Sequence, residues 1–317
     1  MSKPFFATLG ILAIGIASYA TTYMRLETND GRISKVDVDN VSQIDFVEEN
    51  LAPGELSPEI EAKLETKTYT FRGVSFKMIY VKGGSLNMGA QPSDNTLDGY
   101  DSKATWAESP VHKVTLTSYA IGETEVTQAL WNTLNISPNE RLDLRSDLIA
   151  DNKPIFFINQ EIAKDFIDLL NVKMHNDKTL DPDLQFALPT EAQWEYAARG
   201  GVNSKGYYYS GSNVLSEVGE KGPDFSPVKS FMPNELGIYD MTGNACELTL
   251  DYWSSEGYIT TTELNPINEV EDEFVVFRGG MLGAALETDF RLTSRLNIPK
   301  TSSPYFMSFR MVLVPIK

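Results

Sequence analysis

Apolar residues fall at alternate positions through residues 71–81, where Val74, Phe76, Met78 and Tyr80 share one parity. That is the period of a strand with one buried face. Gly83-Gly84 interrupts the run and residues 86–88 begin a second one. Residues 90–107 lose the alternation and carry Asp94, Asp98 and Asp101, which predicts a long loop, and residues 112–121 return to strand character. The period then changes to that of a helix over residues 128–134, with Thr124 or Thr127 as its cap. A second helix is predicted over residues 160–170, with Ile162, Phe166, Leu169 and Leu170 on one face. A third starts at Thr190, whose hydroxyl faces Gln193 three residues on in a capping box, and Gly200-Gly201 ends it. Beyond it the chain reads as loops, a buried strand at 274–277 and a closing strand at 306–314. Few helices, short strands and long loops predict an α+β domain.

Ahead of this domain the pattern is different. Residues 1–20 have Lys3, an apolar run from Phe5 to Ile16 and small residues at Ser18 and Ala20, which together predict an export signal cleaved after Ala20. The run is too short for a comfortable membrane span, so no stable span is expected after cleavage. The mature chain is expected in the periplasm, at the cell surface or secreted. Residues 21–47 alternate around Asn29-Asp30-Gly31, a hairpin signal, and resemble the leader region of exported Bacteroidetes proteins. Residues 48–68 are acidic and carry Pro53 and Pro58, the composition of a linker with one short helix.

One stretch fits neither period. In residues 236–247, Gly237 and Gly243 break an apolar run, and Asp240, Asn244 and Glu247 bring side-chain oxygens at spacings of three to four. A tight irregular turn is predicted. Two uses remain open: a capped turn in which Asp and Asn bond their own backbone, or an oxygen cage for a hard cation such as Ca²⁺.

A net charge of −17 sets this surface against nucleic acid and anionic membranes. With one cysteine, Cys246, and two histidines, His112 and His175, the chain has no internal disulfide and no four-ligand Cys/His zinc site. His112 begins an apolar strand and reads as a fixed hydrogen-bonding residue; His175 lies in a polar stretch and reads as solvated. Glu191 and Glu195 stand one helical turn apart, with Glu191 explained by helix-start chemistry.

Taken in order, several segments resemble the formylglycine-generating enzyme (sulfatase-modifying factor) family. They are the strand pair at 76–89, Glu108-Ser109-Pro110 with Glu125-Val126-Thr127 and Trp131, the helix signature at 188–201, the turn at 233–247, and Arg278-Gly279-Gly280 with Arg295 and Ser308-Phe309-Arg310. The resemblance covers residues 69–317 and implies a C-type-lectin-like fold. In the family's enzymes a cysteine pair, working with copper, oxidises a cysteine of a client sulfatase. Those cysteines fall between the last Arg-Gly-Gly and the next arginine. Here residues 281–294 contain none, so neither copper nor the oxidase chemistry is expected, and no catalytic residue is assigned. Cys246 stands where the family has tryptophan and is expected to be a small buried thiol.

The resemblance also implies a structural calcium held at Asp240, Gly243, Ala245 and Glu247. The ligand surface it implies is residues 281–305 with the 90–107 and 203–225 loops, where Arg291, Arg295, Tyr208 and Trp253 are the candidate contacts. The expected protein is an exported, calcium-stabilised binding or scaffolding module for a protein or glycan at the cell surface. The alternatives are a sulfatase-modifying (formylglycine-generating) oxidase or other enzyme of altered chemistry, and a structural part of a surface or secretion machine.

Overall fold

The computed structural model describes residues 23–27, 33–37, 56–136, 142–259, 263–280 and 286–316. The expected signal and much of the acidic stretch lie outside them. The chain forms two units, divided after Asn50. In the first, β1 (Tyr23–Glu27) pairs antiparallel with β2 (Ile33–Asp37).

The second unit opens with α1 (Pro58–Lys63), capped by Ser57. It belongs to the packed body: Leu64 is fully buried in the core, and Ser118 Oγ donates to Glu61 Oε1 at 2.7 Å. Part of the stretch whose acidity suggests a linker is therefore folded domain. Next come β3 (Lys67–Phe71), β4 (Val74–Val81), β5 (Gly84–Met88), β6 (His112–Leu116) and β7 (Tyr119–Gly122). Then follow α2 (Gln128–Asn132), α3 (Gln160–Asn176), β8 (Leu184–Ala187), α4 (Glu191–Ala198) and the single turn α5 (Leu215–Val218). The chain closes with β9 (Cys246–Tyr252), β10 (Phe274–Arg278), β11 (Leu296–Pro299), β12 (Met307–Ser308) and β13 (Val312–Pro315).

The helix starts follow the sequence chemistry. Thr127 caps α2, Asn159 caps α3, and Thr190 with Gln193 closes the capping box of α4. Two sheets carry the body, in strand orders β3-β4-β7-β13-β8 and β11-β10-β9-β12. The aromatic side of α3 packs between them, where Phe166 stacks on Trp131 at 4.8 Å and meets Phe309 edge-on at 5.8 Å. A second core lies under α4, around Trp194, Tyr119 and Met241. His175, expected in solvent, instead lies in the last turn of α3. Its Nε2 is 2.9 Å from the Leu184 carbonyl and joins the helix end to β8.

Candidate functional site

Three segments distant in sequence meet at one cleft of about 330 Å³. Residues 99–102 come from the long loop after β5, Tyr207 and Tyr208 from the loop after α4, and Arg291 to Thr293 from the stretch before β11. Tyr100 is 45% exposed, and Tyr207 and Tyr208 are half-buried. The floor is ionic. Arg291 Nη1 and Nη2 donate to Glu108 at 2.7 Å each, Nη1 also donates to Asp101 Oδ2 at 2.8 Å, and Nε donates to the Thr288 carbonyl at 2.9 Å. Burial pushes the Tyr208 phenol up to about 12, with Asp101 adding to the shift as hydrogen-bond partner and charge, so it is a neutral hydrogen-bonding group at physiological pH. Arg199 lines the rim, its side chain a quarter exposed and its guanidinium bonded to Glu195.

The four candidate contacts therefore divide. Tyr208 and Arg291 share the cleft. Arg295 and Trp253 lie together elsewhere, with the Arg295 guanidinium 4.8 Å from the Trp253 ring and 4.1 Å from the Tyr258 ring. Trp253 meets the exposed Trp106 edge-on at 6.0 Å. Neither arginine is available to an acidic ligand. Arg291 and Arg295 are 3% and 5% exposed, and Arg295 is held by Glu191 at 2.6 and 2.7 Å and by the Ala107 carbonyl at 3.0 Å. A buried guanidinium needs its donors paired, and these pair inside the protein.

Behind the cleft, Arg278 is fully enclosed and ties α4 to the last loops. It binds Glu195 and the carbonyls of Leu292, Thr293 and Ser294 at 3.0–3.1 Å. Burial alone raises the Glu195 carboxyl, but Arg199 and Arg278 beside it outweigh burial and bring it down to about 2. Glu191 stands in the first turn of α4 as its helix-start chemistry predicts, and both it and Glu195 are in addition arginine partners. Sequence spacing shows that they share a helix face, but not that the partners of both include Arg278, some eighty residues on. His112 is fixed, with Nδ1 2.9 Å from the Pro110 carbonyl and its ring 4.7 Å from that of Tyr258.

The turn before β9 is irregular, with Asp240, Gly243 and Asn244 all in the left-handed region at φ of 58°, 80° and 58°. Its carboxylates are buried. Glu247 accepts two bonds from Arg310, at 2.6 and 2.7 Å, and one from the Trp194 indole at 2.9 Å. Asp240 Oδ2 accepts from the Lys229 amide at 2.8 Å. Burial raises Asp240 to about 6, and burial with Asp240 and Glu247 alongside pushes Glu125 well above the usual carboxylate range. Among the described residues, no group of three or more His, Cys, Asp or Glu side chains is placed to hold a metal ion by itself. The charge balance still fits a cation: Glu125, Asp240 and Glu247 all act on the charge of one guanidinium, Arg310, which is bonded only to Glu247 among them, and both Glu125 oxygens are buried.

The α+β body of curled sheets and few helices, with long loops between them, defines a C-type-lectin-like domain. The chain belongs to the sulfatase-modifying factor enzyme 1-like domain family, whose profile matches residues 70–314. It lacks the cysteine pair of that family's oxidases, its one cysteine being the buried Cys246. Over 228 residues it is 27% identical to the chaperone protein LppX of Paenibacillus barcinonensis, covering 57% of this chain and 73% of that protein. It is 35% identical to the Mus musculus formylglycine-generating enzyme over 109 residues, 29% of each chain, so the match spans under a third of that enzyme. Among solved structures, Treponema denticola variable protein 1 superposes with a TM-score of 0.60 at 26% identity, covering 78% of this chain and 98% of that one.

Proposed function

We propose that this chain is an exported binding module that takes a segment of a protein ligand in the tyrosine-walled cleft and performs no oxidase chemistry. The observation that carries it is the cleft itself. Tyr100, Tyr207 and Tyr208 line the cleft around the Arg291 ion pairs at the junction of three loops. Tyrosine walls give large contact area at low entropic cost, and the Arg291–Asp101 pair fixes their spacing. The name of the Paenibacillus relative, a chaperone protein, supports a protein ligand over a glycan. Export rests on the pattern of residues 1–20. Against oxidase chemistry stands the absence of cysteine from residues 281–294, together with the burial of Cys246, whose thiol donates to the Gly280 carbonyl at 2.7 Å.

The proposal includes a structural Ca²⁺ at the turn before β9. Asp240 with the carbonyls of Gly243 and Ala245 would hold it, and it would tie the turn to the sheet as a hard, oxygen-bound crosslink. The fourth expected holder, Glu247, already has both oxygens on Arg310.

The test is selection of peptides from a display library on the purified chain, followed by titration of the winners against Tyr207→Ala and Tyr100→Ala. Loss of affinity of tenfold or more in these exposed-wall variants is expected. Enrichment on a glycan array with no peptide selected would transfer the cleft to sugars. Aldehyde formation on a Cys-x-Pro-x-Arg peptide with copper and oxygen would overturn the reading.

A further inference from the structure

Arg199 ends α4. It is the C-cap, four residues after Glu195, and Gly200 follows in the left-handed region at φ of 88°. A cation is favoured at a helix C-terminus, and the i, i+4 spacing brings Arg199 and Glu195 together. Glu195 is shared, however. Its Oε1 accepts from Arg199 Nε and from the Gly89 amide, at 2.9 and 3.0 Å, while Oε2 accepts from Arg278. Glu191, the other acid of the helix, is held by Arg295 at 2.6 and 2.7 Å. Three guanidiniums therefore rest on two carboxylates, and they differ in access. The side chains of Arg278 and Arg295 are 0% and 3% exposed, and that of Arg199 is 26% exposed. Arg199 Nη2 reaches Glu195 at 2.7 Å and the Gly89 carbonyl at 3.3 Å, whereas Nη1 has no hydrogen bond among the described residues. The other charged side chains lining the cleft are taken up inside the protein. Arg291 is held by Glu108 and Asp101, and Asp101 accepts from Arg291 on Oδ2 and from the Lys103 amide on Oδ1, both at 2.8 Å. Beside the Tyr207 wall, the exposed Lys205 ammonium lies 5.9 Å from the ring and makes no ion pair among the described residues; Glu235 accepts from its amide instead.

We propose that the tyrosine-walled cleft selects an acidic segment, with Arg199 as the residue that reads it: an Asp or Glu side chain of the ligand bonds to Arg199 Nη1. This deepens the protein-ligand reading above and rests on it. A carboxylate placed there supplies the third anion for three guanidiniums, through a charge-assisted hydrogen bond in a partly desolvated cleft. Arg199 can accept it without giving up Glu195, because Nε and Nη2 already serve that carboxylate and Nη1 does not. The Lys205 charge nearby acts in the same direction. The chain as a whole acts in the opposite one, since a net charge of −17 repels acidic ligands and attracts basic ones. That long-range field is screened beyond about 8 Å at physiological ionic strength. A preference for acidic peptides would therefore come from local contact and not from bulk charge.

The experiment selects peptides from a random display library on the full chain at physiological ionic strength, and compares their Asp and Glu content with the unselected library. A selected peptide is then synthesised in two forms, one with its acidic residue and one with the matching amide. Both forms are titrated by calorimetry against the native chain, Arg199→Gln and Lys205→Gln. Acidic residues are expected to be enriched, and the amide form to bind the native chain at least tenfold more weakly. In Arg199→Gln the ratio between the two forms should shrink to less than about threefold, and Lys205→Gln should weaken the acidic form alone, by about twofold to threefold. Arg199→Gln removes a partner of the buried Glu195, so the comparison of the two peptide forms on the native chain, which needs no variant, decides the acidic preference by itself. A ratio near one there, or a basic bias among the selected peptides, while Tyr207→Ala still weakens binding, overturns the acidic selection and leaves the cleft reading standing. A ratio unchanged in folded Arg199→Gln overturns the assignment to Arg199. Selection of no peptide at all overturns the cleft reading and this inference with it.

Discussion

Arg310 grips Glu247 through both carboxylate oxygens, Nε to Oε2 at 2.6 Å and Nη2 to Oε1 at 2.7 Å, across 63 residues of sequence. Both side chains are fully buried, and the pair joins the segment between β12 and β13 to the start of β9. Removing one member strands a charge in the interior, a cost of about 3–5 kcal/mol. Arg310→Met and Glu247→Gln are each expected to lose stability on that scale in urea unfolding. The double variant should recover part of the loss, because neither Arg310 nor Glu247 is then left buried without the other. Additive losses in the double variant would show that the two side chains act independently.

Stability should fall at both ends of the acid range, for opposite reasons. Asp251 is buried, accepts from the amides of Glu191 and Asn268 at 2.6 and 2.9 Å, and is pushed up to about 7 by burial and by the Glu191 charge. The folded chain therefore keeps a proton that the unfolded chain releases near pH 4. Stability that this proton gives is complete below pH 4 and is lost as pH rises to about 7, with a slope approaching about 1.4 kcal/mol per unit. Glu195, at about 2, works the other way: its stabilisation is present above the ordinary glutamate range and is lost as pH falls toward 2. Melting temperatures from pH 3 to 8 should show both limbs, and Asp251→Asn should flatten the upper one. An unchanged upper limb in that variant would assign the slope to another group.

These two predictions rest on residues the sequence reveals unequally. The capping box of Thr190 and Gln193 is local chemistry, and α4 begins where it says. The alternation of residues 74–80 is equally local, and β4 runs Val74–Val81. The strand β9 carries no such signal, because Glu247, Thr249 and Asp251 are polar residues buried within it. Their burial depends on partners such as Arg310, far away in sequence, which no window of neighbouring residues contains. The site follows the same division. The three segments of the cleft are legible as loops, and Tyr208 as an aromatic contact. That Arg291 is consumed by Glu108 and Asp101 depends on a pairing across some 190 residues of chain.

The loop around α5 should tolerate no side chain at Gly219. Its backbone is fully extended, with φ at −177°, so conformation alone permits any residue. The obstacle is proximity: a Cβ there would lie 2.1 Å from the Thr242 carbonyl oxygen. Gly219→Ala is expected to cost about 1–3 kcal/mol through forced backbone displacement. Gly206 makes the contrast. It has φ of +71°, and a Cβ added there would meet nothing within 4 Å, so Gly206→Ala should cost only the left-handed penalty of about 1–2 kcal/mol. Chemical unfolding of both variants checks the pair. Equal and small losses would mean that the Thr242 carbonyl moves aside freely.

The last prediction concerns the thiol on which the absence of oxidase chemistry partly depends. Cys246 opens β9, is fully buried, and its Sγ donates to the Gly280 carbonyl. Access and thiolate character govern thiol reactivity, and an apolar, hydrogen-bonded site suppresses both. The native chain should therefore react with no equivalent of a thiol-specific disulfide reagent, and with one equivalent after unfolding in guanidinium. Cys246→Ala should leave peptide affinity at the cleft unchanged, since the tyrosine walls do not include it. It should cost about 1–3 kcal/mol of stability, by removing the donor from a buried carbonyl and leaving a small void. A native thiol that reacts within minutes would place a usable nucleophile near the surface that carries the chemistry in the family's oxidases, and would return an altered redox activity to the first rank.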